Sequence, residues 1–449
     1  MRLQAAGVES RHARKGSSPH RAAPVTEAAD LIFRPIARAL GPLREHEQLL
    51  MISISTVLVM AGQGVISPIL PLFAKELGVG AAVIGLTLAF FALARLILNV
   101  PLGILSDRYG RRMLLISGPL VTAVGMFGSG FAGDIVQLLA WRFVAGAGSA
   151  MYMTGAQIYL ADISTPTNRA RFIGTNQGAL LLGVAIGPAI GGVVAEFWGL
   201  RAPFILVGAM ALIAMVYAYW RLPETKHLAP APPAPVEVLA GQKRPRRAWV
   251  TFIMSRDFIA VAFIAAAIFF TRGAARQTII PLMAADDFAF SEGELGVMFT
   301  VVAAVNTILI APSAMIADKW GRKAAIVPSG LFVAFTLVMI GISPTTLVFL
   351  AGNLLLGVAT AMAGPAPAAY AADIAPPHLR GLGMGLFRSA GDAGFMIGPP
   401  LLGAIADWTS YETALAVNAA LIGLAALFFM TARETLVRPS PVEVEAGSR

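Results

Sequence analysis

Apolar residues recur along this chain in runs of roughly twenty, separated by short polar or charged stretches. The runs cover about 50–74, 82–106, 112–131, 135–160, 171–197 and 201–221. After a polar, proline-rich stretch they resume at about 257–284, 293–316, 324–343, 345–371, 381–407 and 411–431. Twenty residues of helix rise about 30 Å, the thickness of a bilayer's hydrocarbon. Lipid cannot hydrogen-bond a bare backbone, so each run predicts a helix. The alternating pattern of a membrane barrel strand is absent. The expected organisation is a basic N-terminal segment (1–48), six helices (49–221), a proline-rich linker (222–256), six more helices (257–431) and a tail (432–449).

Composition sharpens this picture. Of 449 residues 57% are hydrophobic and 13% charged, against about 25% charged in soluble domains. There is no cysteine, and all five histidines (12, 20, 46, 227 and 378) lie outside the apolar runs. No metal site, cofactor or nucleophile–base pair is expected, and so no enzyme. The net charge of +9 is explained by where it sits. With both termini in the cytoplasm, 27 of the 34 Lys and Arg lie on that side, two lie outside (Lys75, Arg201) and five lie within spans. This is the positive-inside pattern of a multi-pass protein of the inner, cytoplasmic membrane, so nucleic acid need not be invoked as a partner. Residues 31–40 are readable as a short amphipathic helix or as part of a basic tail.

The second set of spans copies the first. Adding 211 carries Gly85 to Gly296, Pro101 to Pro312, Asp107 to Asp318, Gly110 to Gly321, Arg111 to Arg322, Asp162 to Asp373 and Gly187-Pro188 to Gly398-Pro399. Duplicated halves of this sort enclose a site near the bilayer midplane and rock against each other, which points to transport.

Between spans 2 and 3 stands Gly103-Ile-Leu-Ser-Asp107-Arg108-Tyr-Gly110-Arg111-Arg112, repeated between spans 8 and 9 as Asp318-Lys-Trp-Gly321-Arg322-Lys323. Span 4 carries Arg142-x-x-Ala-Gly-x-Gly-Ser149, and span 5 carries Gly183-x-x-x-Gly187-Pro188-x-x-Gly191-Gly192. Together with Gly62 and Pro68-Ile-Leu-Pro71 in span 1, these resemble the signatures of the major facilitator superfamily and of its twelve-span drug:proton antiporter branch. The resemblance implies two pseudo-symmetric six-helix bundles with helices 1, 4, 7 and 10 around a cavity. It also implies a conformational latch in which the motif acid meets the start of helix 11 and the motif arginine meets an acid ending helix 4. Asp107, Arg111 and Asp162 match those roles, and Asp318, Arg322 and Asp373 are their copies. The glycines of span 5 suit close helix packing.

Charges inside a membrane should face water or a partner. Five arginines qualify (Arg95, Arg142, Arg272, Arg276, Arg388) against one carboxylate, Asp392. In span 4, Arg142, Ser149, Tyr152 and Tyr159 form one stripe expected to line the cavity, with Gln157 to one side and Gln63 and Ser67 contributed by span 1. Asp392 is readable as a proton carrier or as a structural partner of Arg388, four residues away. Arg142 is a further coupling candidate. The positive excess favours a neutral or anionic substrate over a lipophilic cation.

The expectation is a monomeric secondary transporter in the lipid bilayer that couples efflux of a small organic molecule to protons. Uptake or facilitated passage of an organic anion, and a non-transporting sensor on the same fold, are the alternatives.

Overall fold

The computed structural model of the chain describes residues 47–165, 168–228, 248–376 and 379–435. The basic segment up to residue 46, most of the proline-rich linker, the tail from 436 and all the histidines except His227 lie outside the described residues.

Twelve membrane-length helical passes form, each close to its apolar run. In the first half they are α1 (Glu47–Ile66 continued by Ile69–Glu76), α2 (Ala81–Tyr109), α3 (Arg111–Gly130), α4 (Ile135–Ile163), α5 (Arg169–Trp198) and α6 (Ala202–Arg221). In the second half they are α7 (Arg256–Asp287), α8 (Glu292–Trp320), α9 (Arg322–Gly341), α10 (Thr346–Ala363 continued by Ala366–Ile374), α11 (Arg380–Trp408) and α12 (Tyr411–Phe429). Ten of the twelve are long and apolar enough to cross a membrane on composition alone. The other two, α4 and α11, carry Arg142 and the Arg388–Asp392 charges.

Helix starts follow local chemistry. The side chains of Asp134, Ser255, Thr345 and Ser410 accept from the backbone N–H three residues on, and Ser291 with Glu294 closes a reciprocal capping box. Three passes are interrupted where a continuous run was expected. Pro68 lacks an N–H and breaks α1 after Ile66, while Gly364-Pro365 breaks α10. In α7, residues Arg272–Ile279 widen into a π-helical segment whose Thr278 hydroxyl donates to the Gly273 carbonyl at 3.0 Å.

Within the first half α3 packs on α4 and α6, α1 on α5, and α2 on α4. The second half repeats this, with α9 on α10 and α12, α7 on α11, and α8 on α10. The halves meet along two seams, α2 against α11 and α5 against α8.

The span-5 glycines set how close α5 lies to α1. A Cβ on Gly187 would stand 2.5 Å from Gly64 Cα, and one on Gly183 would stand 2.7 Å from the Val57 carbonyl oxygen. Gly192 faces the other way and lets the first turn of α8 approach across the seam. Near the start of α5, a Cβ on Gly174 would meet open space.

Gly187→Val should therefore destabilise the fold by about 1–3 kcal/mol through overpacking, read as a lower unfolding temperature in detergent. Gly174→Ala should leave that temperature at or above the wild-type value. Equal effects of the two changes would contradict the packing argument.

Candidate functional site

At one end of the molecule, termed the basic end, the two copies of the span 2–3 motif fold alike. Gly110 and Gly321 adopt φ of +97° and +111°, a region that favours glycine, and so turn α2 into α3 and α8 into α9. Each turn presents the free N–H groups of the next helix. Glu224 accepts from Arg111 N and Arg112 N at 3.0 and 3.2 Å, and Glu434 accepts from Arg322 N and Lys323 N at 3.0 and 3.0 Å. Arg111 Nε donates to Asp162 at 2.7 Å, and Arg322 Nε donates to Asp373 at 3.3 Å. The Thr225 and Thr435 hydroxyls donate to the same two aspartates, each at 3.1 Å. Arg112 and Lys323 reach the carbonyls of Tyr219 and Ala432. Gly103 and Arg108 lie on the outer part of this motif, and the Arg108 carbonyl accepts from Lys226 Nζ at 2.9 Å.

Glu224 and Glu434 were missed by the sequence reading. The signal was a Glu-Thr pair after span 6 and again after span 12, but the pairs are 210 residues apart and the fixed 211 offset passes over them. Partial burial alone would push the Glu224 carboxyl up. Four backbone N–H donors, on Arg111, Lys226, Arg112 and Thr225, outweigh that and hold it below the ordinary glutamate value.

Asp107 does not reach helix 11 in this conformation. Its side chain is 73% exposed, and its one ion pair among the described residues is with Arg111 at 3.4 Å. Asp318 is similarly open, 68% exposed and paired with Arg322. Gly103 on α2, Gly174 and Gly178 on α5, and Gly385 on α11 all face open space.

The opposite end is closed. Asp407 at the end of α11 accepts from Ala81 N and Ala82 N, the first turn of α2, at 2.7 and 2.9 Å. Its counterpart Glu196, 211 residues earlier at the end of α5, lays a carboxylate oxygen against Gly293 in the first turn of α8. Lys75 pairs with Asp286, and Ala189 N donates to the Thr300 hydroxyl at 2.8 Å. Each of these contacts joins one half to the other.

Between the two ends lie the intramembrane charges. Arg95 on α2 is within Coulombic range of Asp392 and Arg388 on α11 and of Arg272 on α7, which in turn acts on Arg276. The sequence allowed Arg388 and Asp392 to be a helical pair, but no ion pair joins them among the described residues. Arg276 borders a small cleft with Met298, Phe299, Val302, Asn353 and Leu356.

The span-4 stripe, expected to line this cavity, is packed in this conformation. Arg142, Ser149, Tyr152 and Tyr159 are all buried, whereas Gln157 beside them is exposed. Their common face turns into the first bundle. Arg142 sits over the Phe91 ring at 4.7 Å, Ser149 accepts from Gln63 Nε2 at 3.2 Å, and Tyr152 shares a 2.9 Å bond with Thr56. Thr56 also donates to Asn176 at 2.9 Å, joining α1, α4 and α5. Helical spacing fixes that four residues share a face, but it does not say which neighbour that face meets. Ser67 is half-buried at the α1 break.

Among the described residues no group of three His, Asp or Glu side chains could hold a metal ion.

The model of the Major Facilitator Superfamily matches residues 52–271 and 265–448. An uncharacterized MFS-type transporter of Methanocaldococcus jannaschii is 27% identical over 372 residues, covering 82% of this chain and 93% of that protein. Multidrug resistance protein 2 of Bacillus subtilis is 27% identical over 380 residues, covering 81% and 90%. Among solved structures, a bacterial homolog of the human lysosomal transporter Spinster, in an inward-facing and occupied conformation, superposes with a TM-score of 0.73. It is 17% identical and covers 89% of this chain and 99% of that one.

Two outcomes follow from the end contacts. A carboxyl held below its ordinary value stabilises the fold above the unfolded-state pKa, and that contribution is lost as pH falls through the lower folded-state value. The unfolding-temperature gap between wild type and Glu224→Gln should therefore be full near neutral pH and close as pH falls well below about 4.5; a gap independent of pH would refute the charge argument. At the other end, Asp407→Ala removes two inter-half bonds. It should speed labelling of a single cysteine at position 67, in a chain otherwise free of cysteine, by a membrane-impermeant maleimide applied on that side. An unchanged labelling rate would show that Asp407 does not hold this end shut.

Proposed function

The chain belongs to the Major Facilitator Superfamily, and from that premise we propose that it exports a small, drug-like, neutral or anionic organic molecule by alternating access, coupled to protons. One observation carries the reading. The halves touch at one end through breakable contacts and place charged side chains of both halves within range of each other between the bundles. The name of the Bacillus subtilis relative, a multidrug resistance protein, supports efflux as the direction. The excess of Lys and Arg at the basic end supports a cytoplasmic position for that end and for both termini.

In the cycle we propose, the closed end opens when Asp407 and Glu196 leave the starts of α2 and α8 and the Lys75–Asp286 pair breaks. The basic end then closes with Asp107 at the start of α11 and Asp318 at the start of α5. A carboxylate there meets the positive end of the helix dipole. Arg111–Asp162 and Arg322–Asp373 stay within their halves and hold the two turns rigid. The span-5 glycines Gly183, Gly187 and Gly191 keep α5 on α1 while Gly192 slides past α8. Asp392 is the proton site. It stands in the middle of α11, within Coulombic range of Arg95 on α2 of the other half, so it lies at the seam where the halves move against each other.

A second reading, uptake or facilitated passage of an organic anion, is favoured by the surplus of arginines over Asp392.

In proteoliposomes with an imposed pH gradient, the wild-type chain should move substrate against its concentration gradient. Asp392→Asn should reduce gradient-driven accumulation at least tenfold while leaving substrate exchange at equal pH. Undiminished accumulation in that variant would remove Asp392 from the coupling scheme.

A further inference from the structure

Four intramembrane arginines have no side-chain hydrogen bond or ion pair among the described residues: Arg95, Arg272, Arg276 and Arg388. Arg142 is set apart by its burial over Phe91. Arg95 lies at the middle of α2, Arg388 eight residues into α11, and Arg272 and Arg276 well inside α7. At this depth an unpaired charge is costly and should face water, a partner or a ligand. Arg272 is nonetheless an exposed side chain. It stands on the α7 segment that packs against α11 and against α2 of the other half. Every other described carboxylate sits within a few residues of a helix end, which leaves Asp392, within Coulombic range of Arg95, as the one described carboxylate at this depth.

The repeat shows that the fold does not require these charges. The positions 211 residues from Arg95, Arg272, Arg276, Arg388 and Asp392 are Asn306, Ala61, Val65, Gln177 and Leu181, all neutral. Asn306 satisfies itself inside its own half, donating to the Gly357 carbonyl at 3.2 Å and to the Thr360 hydroxyl at 3.0 Å. The packing and latch residues recur in both copies, as rocking of the two halves demands. A substrate is under no such symmetry. Arg272 and Arg276, four apart in the π-helical segment, share one face. Beside Arg276 the cleft is walled by Met298, Phe299, Val302 and Leu356.

We propose that Arg272 and Arg276, on the α7 segment that packs against α2 carrying Arg95 of the other half, form the headgroup site of an organic anion, a carboxylate or sulfonate. Asp392 is the resident counter-ion that such a headgroup competes with. The site rests on the reading that this cavity is the transport cavity, in whichever direction transport runs.

The test uses the full chain in nanodiscs of zwitterionic lipid and three probes of one shape: 1-naphthoate, neutral 1-naphthamide and cationic 1-naphthylmethylammonium. Calorimetry should show naphthoate bound at least tenfold more tightly than the other two. Arg272→Gln and Arg276→Gln should each weaken naphthoate at least tenfold, with Arg276→Lys restoring part of the loss. Asp392→Asn should change affinity in the opposite direction, tightening naphthoate severalfold, a sign that general damage to the fold does not produce. Arg256→Gln, at the exposed start of α7, should change nothing. Gel filtration and unfolding temperature identify any variant that has misfolded. Preference for the cation, indifference of naphthoate to the Arg272 and Arg276 changes, or no naphthoate binding by wild type overturns the proposal. Binding without flux leaves this site standing and sinks the transport reading. Gradient-driven flux of a cation with naphthoate ignored does the reverse.

Discussion

A helix that starts at a membrane surface brings several backbone N–H groups without partners, and this structure depends on how they are met. Four carboxylates from elsewhere in the chain supply or approach the answer. Glu224 and Glu434 bind the starts of α3 and α9 from within the same half. Asp407 binds the start of α2, and Glu196 approaches the start of α8, each from the other half. The chemistry is the same and the mechanical consequence differs. Caps made inside a half persist however the halves move and keep each bundle rigid. Caps made across a seam hold one conformation and must be released for the other. A carboxylate on backbone amides suits both duties, because it is strong in place and readily rehydrated once separated.

The duplication divides labour in the same way. Turn glycines, basic residues of the turns, their aspartate partners and the Glu-Thr pairs occur in both copies and occupy matching places. The interior charges do not: Arg95 belongs to the first copy, and Arg272, Arg276, Arg388 and Asp392 belong to the second. The mechanical frame is thus close to symmetric, while the electrostatic field of the cavity is lopsided and positive.

Much of this was legible in the residues. Runs of apolar length gave twelve helices, and the 211 offset paired them. The turn chemistry of Gly110 and Gly321 followed from their neighbours. What stayed hidden depended on tertiary placement. Tyr152 and Arg142 share a helical face by arithmetic, but only the packed bundle shows that this face meets Thr56 and Phe91. Arg388 and Asp392 have pairing distance in sequence, yet no ion pair joins them among the described residues. The π turn in α7 leaves no local trace, since Arg272–Ile279 reads as ordinary helix. Glu224 escaped because one residue had been lost between the repeats, which shifts its copy out of register.

Lys75 and Asp286 are separated by 211 residues, so each is the other's copy, and they touch. Two equivalent positions can meet only on the pseudo-two-fold axis itself. A symmetric dimer of one six-helix unit would bring two lysines or two aspartates together there and repel itself. With opposite charges, a first half recognises a second half and rejects another first half. The contact thus acts as a mating code between the bundles, one that depends on the two copies differing at this position.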